Sequence, residues 1–119
     1  TLGNLTSEKQ KWRHGVVASS GAIYGLPYGS SSVLKIDPTS DNVSTFGNLG
    51  TGNWKWPHGV LAATGAIYGI PSSASWVLKI DPVSDTVKTL RNMGGESYKW
   101  WHGVLASNGA IYGLPYSST

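Results

Sequence analysis

The sequence predicts an all-β fold built from a repeated four-stranded antiparallel unit, and three observations predict it. The chain repeats itself with a step of 44 residues: Lys11-Trp12-Arg13-His14-Gly15-Val16 returns as Lys55-Trp56-Pro57-His58-Gly59-Val60 and as Lys99-Trp100-Trp101-His102-Gly103-Val104. A second block, Gly21-Ala22-Ile23-Tyr24-Gly25, recurs at Gly65 to Gly69 and Gly109 to Gly113. Finally, no segment carries the apolar period of a helix, while short Val, Ile and Tyr runs are bounded by Gly, Pro, Ser and Asp. A fixed period of this size marks a repeat architecture.

Each unit divides into four strands. The first runs from His14 to Ser19, and Ser20-Gly21 (Thr64-Gly65, Asn108-Gly109) closes it as a two-residue turn whose Gly supplies positive φ. The second covers Ala22 to Tyr28 and ends near Pro27, which has no N–H for a ladder. A Gly/Ser loop, Gly29 to Ser32, leads to the third, Val33 to Asp37, which recurs as Val77 to Asp81. The turn Asp37-Pro38-Thr39-Ser40-Asp41 follows, with Pro presetting φ and the Asp and Ser side chains placed to bond nearby N–H groups. The fourth strand spans Val43 to about Gly47.

Four antiparallel strands in 44 residues match one blade of a β-propeller, for which about 40 to 50 residues is usual. The expected fold is therefore a β-propeller, with a β-trefoil as the alternative. The units are 1–44, 45–88 and 89–119, roughly 2.7 blades, with the last incomplete. The run His-Gly-Val-Val-Ala-x-x-Gly-x-Ile-Tyr-Gly, followed by Val-Leu-x-Ile-Asp-Pro-x-Ser-Asp-x-Val, resembles the kelch repeat and its relatives among the NHL and streptogramin-lyase-type propellers. The resemblance extends over essentially the whole chain. It departs at Leu26-Pro27, where kelch repeats carry a Gly-Gly pair, and the WD dipeptide of WD40 repeats is absent too.

Three full units would need 132 residues, 13 more than the chain has, and the deficit falls on the third strand and its turn. Open sheet edges are the expected consequence. Closing a ring then calls for further blades, from the same longer chain or from other copies.

Composition narrows the function. The 119 residues contain no Cys, which removes disulfide scaffolds, thiolate zinc sites and cysteine nucleophiles. Charged residues make up 13%, so the net charge of +3 forms no dense patch and nucleic acid is not an expected partner. No apolar run approaches the length of a membrane span. Four of the six acids, Asp37, Asp41, Asp81 and Asp85, belong to the repeated turn. Glu8 and Glu96 are left, two units apart, so no acid/base pair of the glycosidase kind is evident. Catalysis is not expected, and no cofactor is implied. Lack of thiols and the sequons Asn4-Leu5-Thr6 and Asn42-Val43-Ser44 favour an extracellular setting without fixing the compartment.

The parity of a four-stranded blade places the first-to-second and third-to-fourth turns at one end. The loop between the second and third strands lies at the other end, with the link between units. The first end hardly varies. The second holds most of the variation: Glu8/Gly52/Glu96, Gln10/Trp54/Tyr98, Arg13/Pro57/Trp101, Tyr28/Ser72/Tyr116 and Ser32/Trp76. Variable loops with aromatics on a rigid scaffold are where binding resides. The expected ligand-binding residues are Trp54, Trp76, Tyr98, Trp101, Arg13 and Glu96. Trp and Tyr stack on sugar C–H faces while Arg and Glu bond hydroxyls, so a lectin-like module binding carbohydrate is the first expectation. A protein–protein scaffold using the same aromatics is the second.

Trp12, Trp56 and Trp100 occur in every unit and are expected to pad the seams between units. His14, His58 and His102 open the first strand of each unit. They are expected to tie each unit to the next by a hydrogen bond. The competing expectation is a ring of imidazoles holding a metal, or serving a lyase or metal-dependent enzyme.

Overall fold

The structure, a computed structural model, describes residues 11–95 and 99–115, without the side chain of Trp101. Among them are ten strands: β1 (Trp12–Val17), β2 (Ile23–Pro27), β3 (Val33–Asp37), β4 (Asn42–Phe46), β5 (His58–Leu61), β6 (Ile67–Ile70), β7 (Trp76–Asp81), β8 (Thr86–Asn92), β9 (Trp100–Leu105) and β10 (Ile111–Pro115). The described residues contain no helix, hence none long and apolar enough to cross a membrane. The strands form antiparallel sheets of four, four and two, in the orders β1-β2-β3-β4, β5-β6-β7-β8 and β10-β9. Each complete sheet is a simple meander of consecutive strands, and the first strands of the three sheets, β1, β5 and β9, pack side by side.

The first strand starts earlier than the sequence indicates. Trp12 already pairs with Pro27, and a register shift between Trp12 and Gly15 absorbs the difference. The following turn also differs from expectation. Ala18 N–H donates to Ala22 O at 2.9 Å and Gly21 N–H to Ala18 O at 2.9 Å, so three residues, not two, form the connection. Its last residue is Gly21 at φ 91°, and Gly65 and Gly109 repeat this at 90° and 87°. A three-residue hairpin ending in a left-handed glycine explains why Gly stands there in every unit. The Asp-Pro turn forms as its residues suggest: Asp37 Oδ1 accepts the Thr39 N–H, and Asp81 Oδ1 the Val83 N–H, both at 2.9 Å.

The core lies in the seam between the first two sheets. Tyr24, Leu26 and Val33 of the first sheet meet Trp56, Ile67, Leu78 and Ile80 of the second in one cluster, each at most 2% exposed. The registers place Gly59 opposite Gly69, with no side chain on either, and this bare pair receives Leu26. A Cβ built on Gly59 would stand 2.5 Å from Leu26 Cδ1, and one on Gly69 2.9 Å from Leu26 Cδ2. The next seam repeats the device, since a Cβ on Gly103 would stand 2.5 Å from Ile70 Cγ1. The glycines of the second and third His-Gly-Val, Gly59 and Gly103, are thus packing requirements: each lets a whole branched side chain leave water, worth about 1.5–3 kcal/mol.

Candidate functional site

Two constellations stand out, one along the seams and one at the end of the sheets that carries the links.

Along the seams, His14 and His58 stack with ring centroids 4.0 Å apart, and His58 and His102 follow at 3.6 Å. His14 Nδ1 accepts the N–H of Gly59 at 3.1 Å, and His58 Nδ1 accepts that of Gly103 at 3.2 Å. This is the unit-to-unit tie, and it fixes Nδ1 as an unprotonated acceptor. Burial, reinforced by the neighbouring imidazoles, lowers the His58 pKa to about 4, and burial with His102 lowers that of His14. Among the described residues no group of three His, Asp or Glu is arranged to hold a metal ion.

A second seam contact was not legible in the repeat. Tyr24 Oη donates to Asp85 Oδ1 at 2.6 Å, and Lys35 Nζ donates to Asp85 Oδ2 at 2.6 Å. Asp85 belongs to the Asp-Pro turn of the second sheet, yet its carboxylate reaches the first sheet. It takes φ 53° to do so, as Asp41 takes 59°, in a region that Asp tolerates better than most residues. The expectation that both Asp residues serve the turn therefore needs correcting in the second unit: Asp81 does, while Asp85 leaves it for the seam. Burial, aided by the Asp85 hydrogen bond, pushes the Tyr24 hydroxyl up to about 12. For Asp85, the bonds from Lys35 and Tyr24 outweigh burial and hold the carboxyl below its usual value.

At the link end, the connecting segments are sewn to the loops between second and third strands. Tyr28 N–H donates to Lys11 O at 2.8 Å, Lys55 N–H to Tyr28 O at 3.1 Å and Ser73 N–H to Trp54 O at 3.0 Å. The repeated tryptophans join in, with Trp12 Nε1–H donating to Ser32 O at 2.8 Å and Trp56 Nε1–H to Trp76 O at 2.9 Å. Lys55, which follows Trp54, is 6% exposed with its Nζ on Gly52 O at 2.6 Å, and burial lowers its pKa. Pinned between Tyr28 and Ser73, Trp54 adopts φ 65°, a left-handed conformation costly for a bulky residue.

Trp54 is 39% exposed, and its ring lies 5.8 Å from that of Tyr28. Arg13 sits over the same Tyr28 ring, 5.4 Å from its centroid, and its Nη1 donates to Tyr28 Oη at 3.4 Å. Two of the expected residues, Arg13 and Trp54, thus converge on Tyr28. Tyr28 belongs to a variable column but was not among the expected binding residues; it is 1% exposed and forms the floor of the cluster. The second repeat cannot build the same cluster, because Pro57 and Ser72 replace Arg13 and Tyr28. Trp76 is 44% exposed at the start of β7, and no ring contact joins it to the cluster among the described residues. Glu96 and Tyr98 lie outside the described residues, as does the side chain of Trp101.

Comparison with known proteins gives a fold likeness and no family. No family model matches the chain, and no curated protein does. Among solved structures the chain is similar to the extracellular domain of a one-component system from B. thetaiotaomicron, with a TM-score of 0.68 over 91% of this chain at 9% identity. The chain spans 14% of that neighbour's length.

Proposed function

We propose that this chain is part of a β-propeller whose link-end loops form a non-enzymatic, lectin-like binding face. The propeller reading is supported by the meandering sheets, the packing of first strands against one another and the glycine hollow repeated at each seam. Ring closure then takes further blades, from the same longer chain or from other copies.

The binding reading rests on one observation: Trp54 stays two-fifths exposed, in a left-handed backbone conformation, against a Tyr28 ring that also carries the Arg13 guanidinium. An exposed indole offers a flat apolar face to sugar C–H groups, and the guanidinium beside it offers N–H donors to hydroxyls. Among the described residues the combination of Arg13, Tyr28 and Trp54 occurs once, as an asymmetric ligand site requires. A glycan array with the wild-type chain, Trp54→Ala and Arg13→Ala tests this. Glycans retained by the wild type and lost by both variants support it; glycan binding indifferent to both changes, or none at all, removes it.

The second reading, a protein–protein scaffold, is favoured by the exposed Trp76 outside the cluster. It is the better account if Trp76→Ala abolishes capture of a protein partner while sugars have no effect.

A further inference from the structure

A cavity of about 250 Å³ lies between the second sheet and the β9–β10 pair, lined by Tyr68, Ile70, Val77, Met93, Trp100 and Gly113, among others. One repeat earlier, these positions are Tyr24, Leu26, Val33, Leu49, Trp56 and Gly69. Those equivalents are no cavity. Tyr24, Leu26, Val33 and Trp56 are buried core residues, Leu49 packs against them, and a Cβ on Gly69 would touch Leu78 Cβ at 3.0 Å. What fills the first seam and has no counterpart at the second among the described residues is the pair Leu78 and Ile80, supplied by the third strand of the following sheet. Among the described residues, the second seam matches the first except at the positions of this pair.

The polar half of the seam is likewise prepared. Lys79 lies 5.8 Å from the centroid of the Tyr68 ring, the same placement as Lys35 over Tyr24 at 5.8 Å. In the first seam that pair holds Asp85. Neither Tyr68 Oη nor Lys79 Nζ has a hydrogen-bond or ion-pair partner among the described residues. Asp41, the repeat equivalent of Asp85, has none either. Along β10 the described residues pair only with β9, and Tyr112 and Leu114 are 56% and 49% exposed.

We propose that the free side of β10 and this cavity are the docking site for a third-to-fourth-strand hairpin of the repeat's own pattern, Val-Leu-Lys-Ile-Asp-Pro-x-Ser-Asp. The strand adds to β10, its Leu and Ile enter the cavity, and its last Asp bonds to Tyr68 and Lys79. The recognition is β-augmentation with two apolar anchors and one charge lock. The inference rests on the propeller reading and continues an interface that the chain already contains.

A peptide of residues 32–47 carries the pattern, contains no Trp and presents Asp41 as the lock residue. Titrated into the full chain, it is expected to bind saturably and to change the fluorescence of the tryptophans, Trp100 among them. The peptide with Asp41→Asn is expected to bind at least about tenfold more weakly, as loss of a charged hydrogen bond implies. Lys79→Met in the chain, or Tyr68→Phe should that variant misfold, is expected to weaken the unmodified peptide similarly and to erase the difference between the peptides. Two results overturn the inference: no saturable binding while hydrogen exchange protects both four-stranded sheets, or equal binding of the two peptides. Self-association of the chain that excess peptide does not reverse also overturns it, by giving the face to a second copy. Loss of exchange protection in the two sheets themselves would instead sink the propeller reading on which the inference rests.

Discussion

His14 stacks on His58 at 4.0 Å and accepts, through Nδ1, the peptide N–H of Gly59, the residue next to its stacking partner. One imidazole therefore joins two sheets by a ring face and a lone pair together. Both contacts require the neutral form. A proton on Nδ1 removes the acceptor and sets positive charge against the neighbouring rings.

This predicts acid lability of the seam. The folded-state pKa of His58 is about 4, against 6.5 in an unfolded chain. The unfolded state then binds more protons between these values, so stability rises with pH across that window. Stability should be complete above about pH 6.5, decline as pH falls towards 4, and level off below it for this group. Urea unfolding from pH 4 to 7 measures the slope. His58→Asn, which offers Oδ1 in place of Nδ1, should flatten it; an unchanged slope would place the proton uptake elsewhere.

The glycine hollow makes a differential prediction. Gly59→Ala forces a methyl onto Leu26 and should cost about 1–3 kcal/mol by overpacking. Gly15→Ala, at the equivalent position one repeat earlier, meets nothing nearer than 3.6 Å and should be neutral. Because Leu26→Ala itself empties a core position, the double variant Leu26→Ala/Gly59→Ala should cost less than the sum of the two single changes. Chemical denaturation of the variants decides it, and equal costs for the two glycines would contradict the packing account.

Tyr24 and Lys35 share Asp85 but should not contribute equally. Tyr24 is fully buried, so Tyr24→Phe removes a bond to a charged acceptor, at about 1.5–3 kcal/mol. The Lys35–Asp85 pair is partly exposed, with side chains 26% and 36% accessible, and Lys35→Met should cost under about 1 kcal/mol. A double-mutant cycle with Asp85→Asn should return a larger coupling for Tyr24 than for Lys35.

The backbone of Trp54 offers a test that separates strain from function. At φ 65° a glycine is preferred over any residue with a Cβ, so Trp54→Gly should be more stable than Trp54→Ala by about 1 kcal/mol. Both should lose ligand binding to the same extent, since neither retains the indole. Thermal midpoints with binding isotherms on the same two proteins provide the comparison.

The sequence by itself determined the period of 44 residues, the four strands of a unit and their meander order. Those features are local: a turn glycine, an Asp-Pro corner or an apolar run acts on residues a few positions away, and each recurs in the text of the chain. It also separated the invariant end from the variable one, because strand parity follows from counting. Only the tertiary structure decided which columns meet across a seam. Tyr24 and Asp85 are 61 residues apart, and no spacing rule marks Asp85 for the seam rather than for its own turn. Tyr28 likewise became the floor of the Arg13 and Trp54 cluster through the packing of a loop against a link. Nothing in the sequence marks Gly59, the glycine of the second His-Gly-Val, for a packing role. In the fold it is a hollow shaped to Leu26, because the contact that requires it belongs to another sheet.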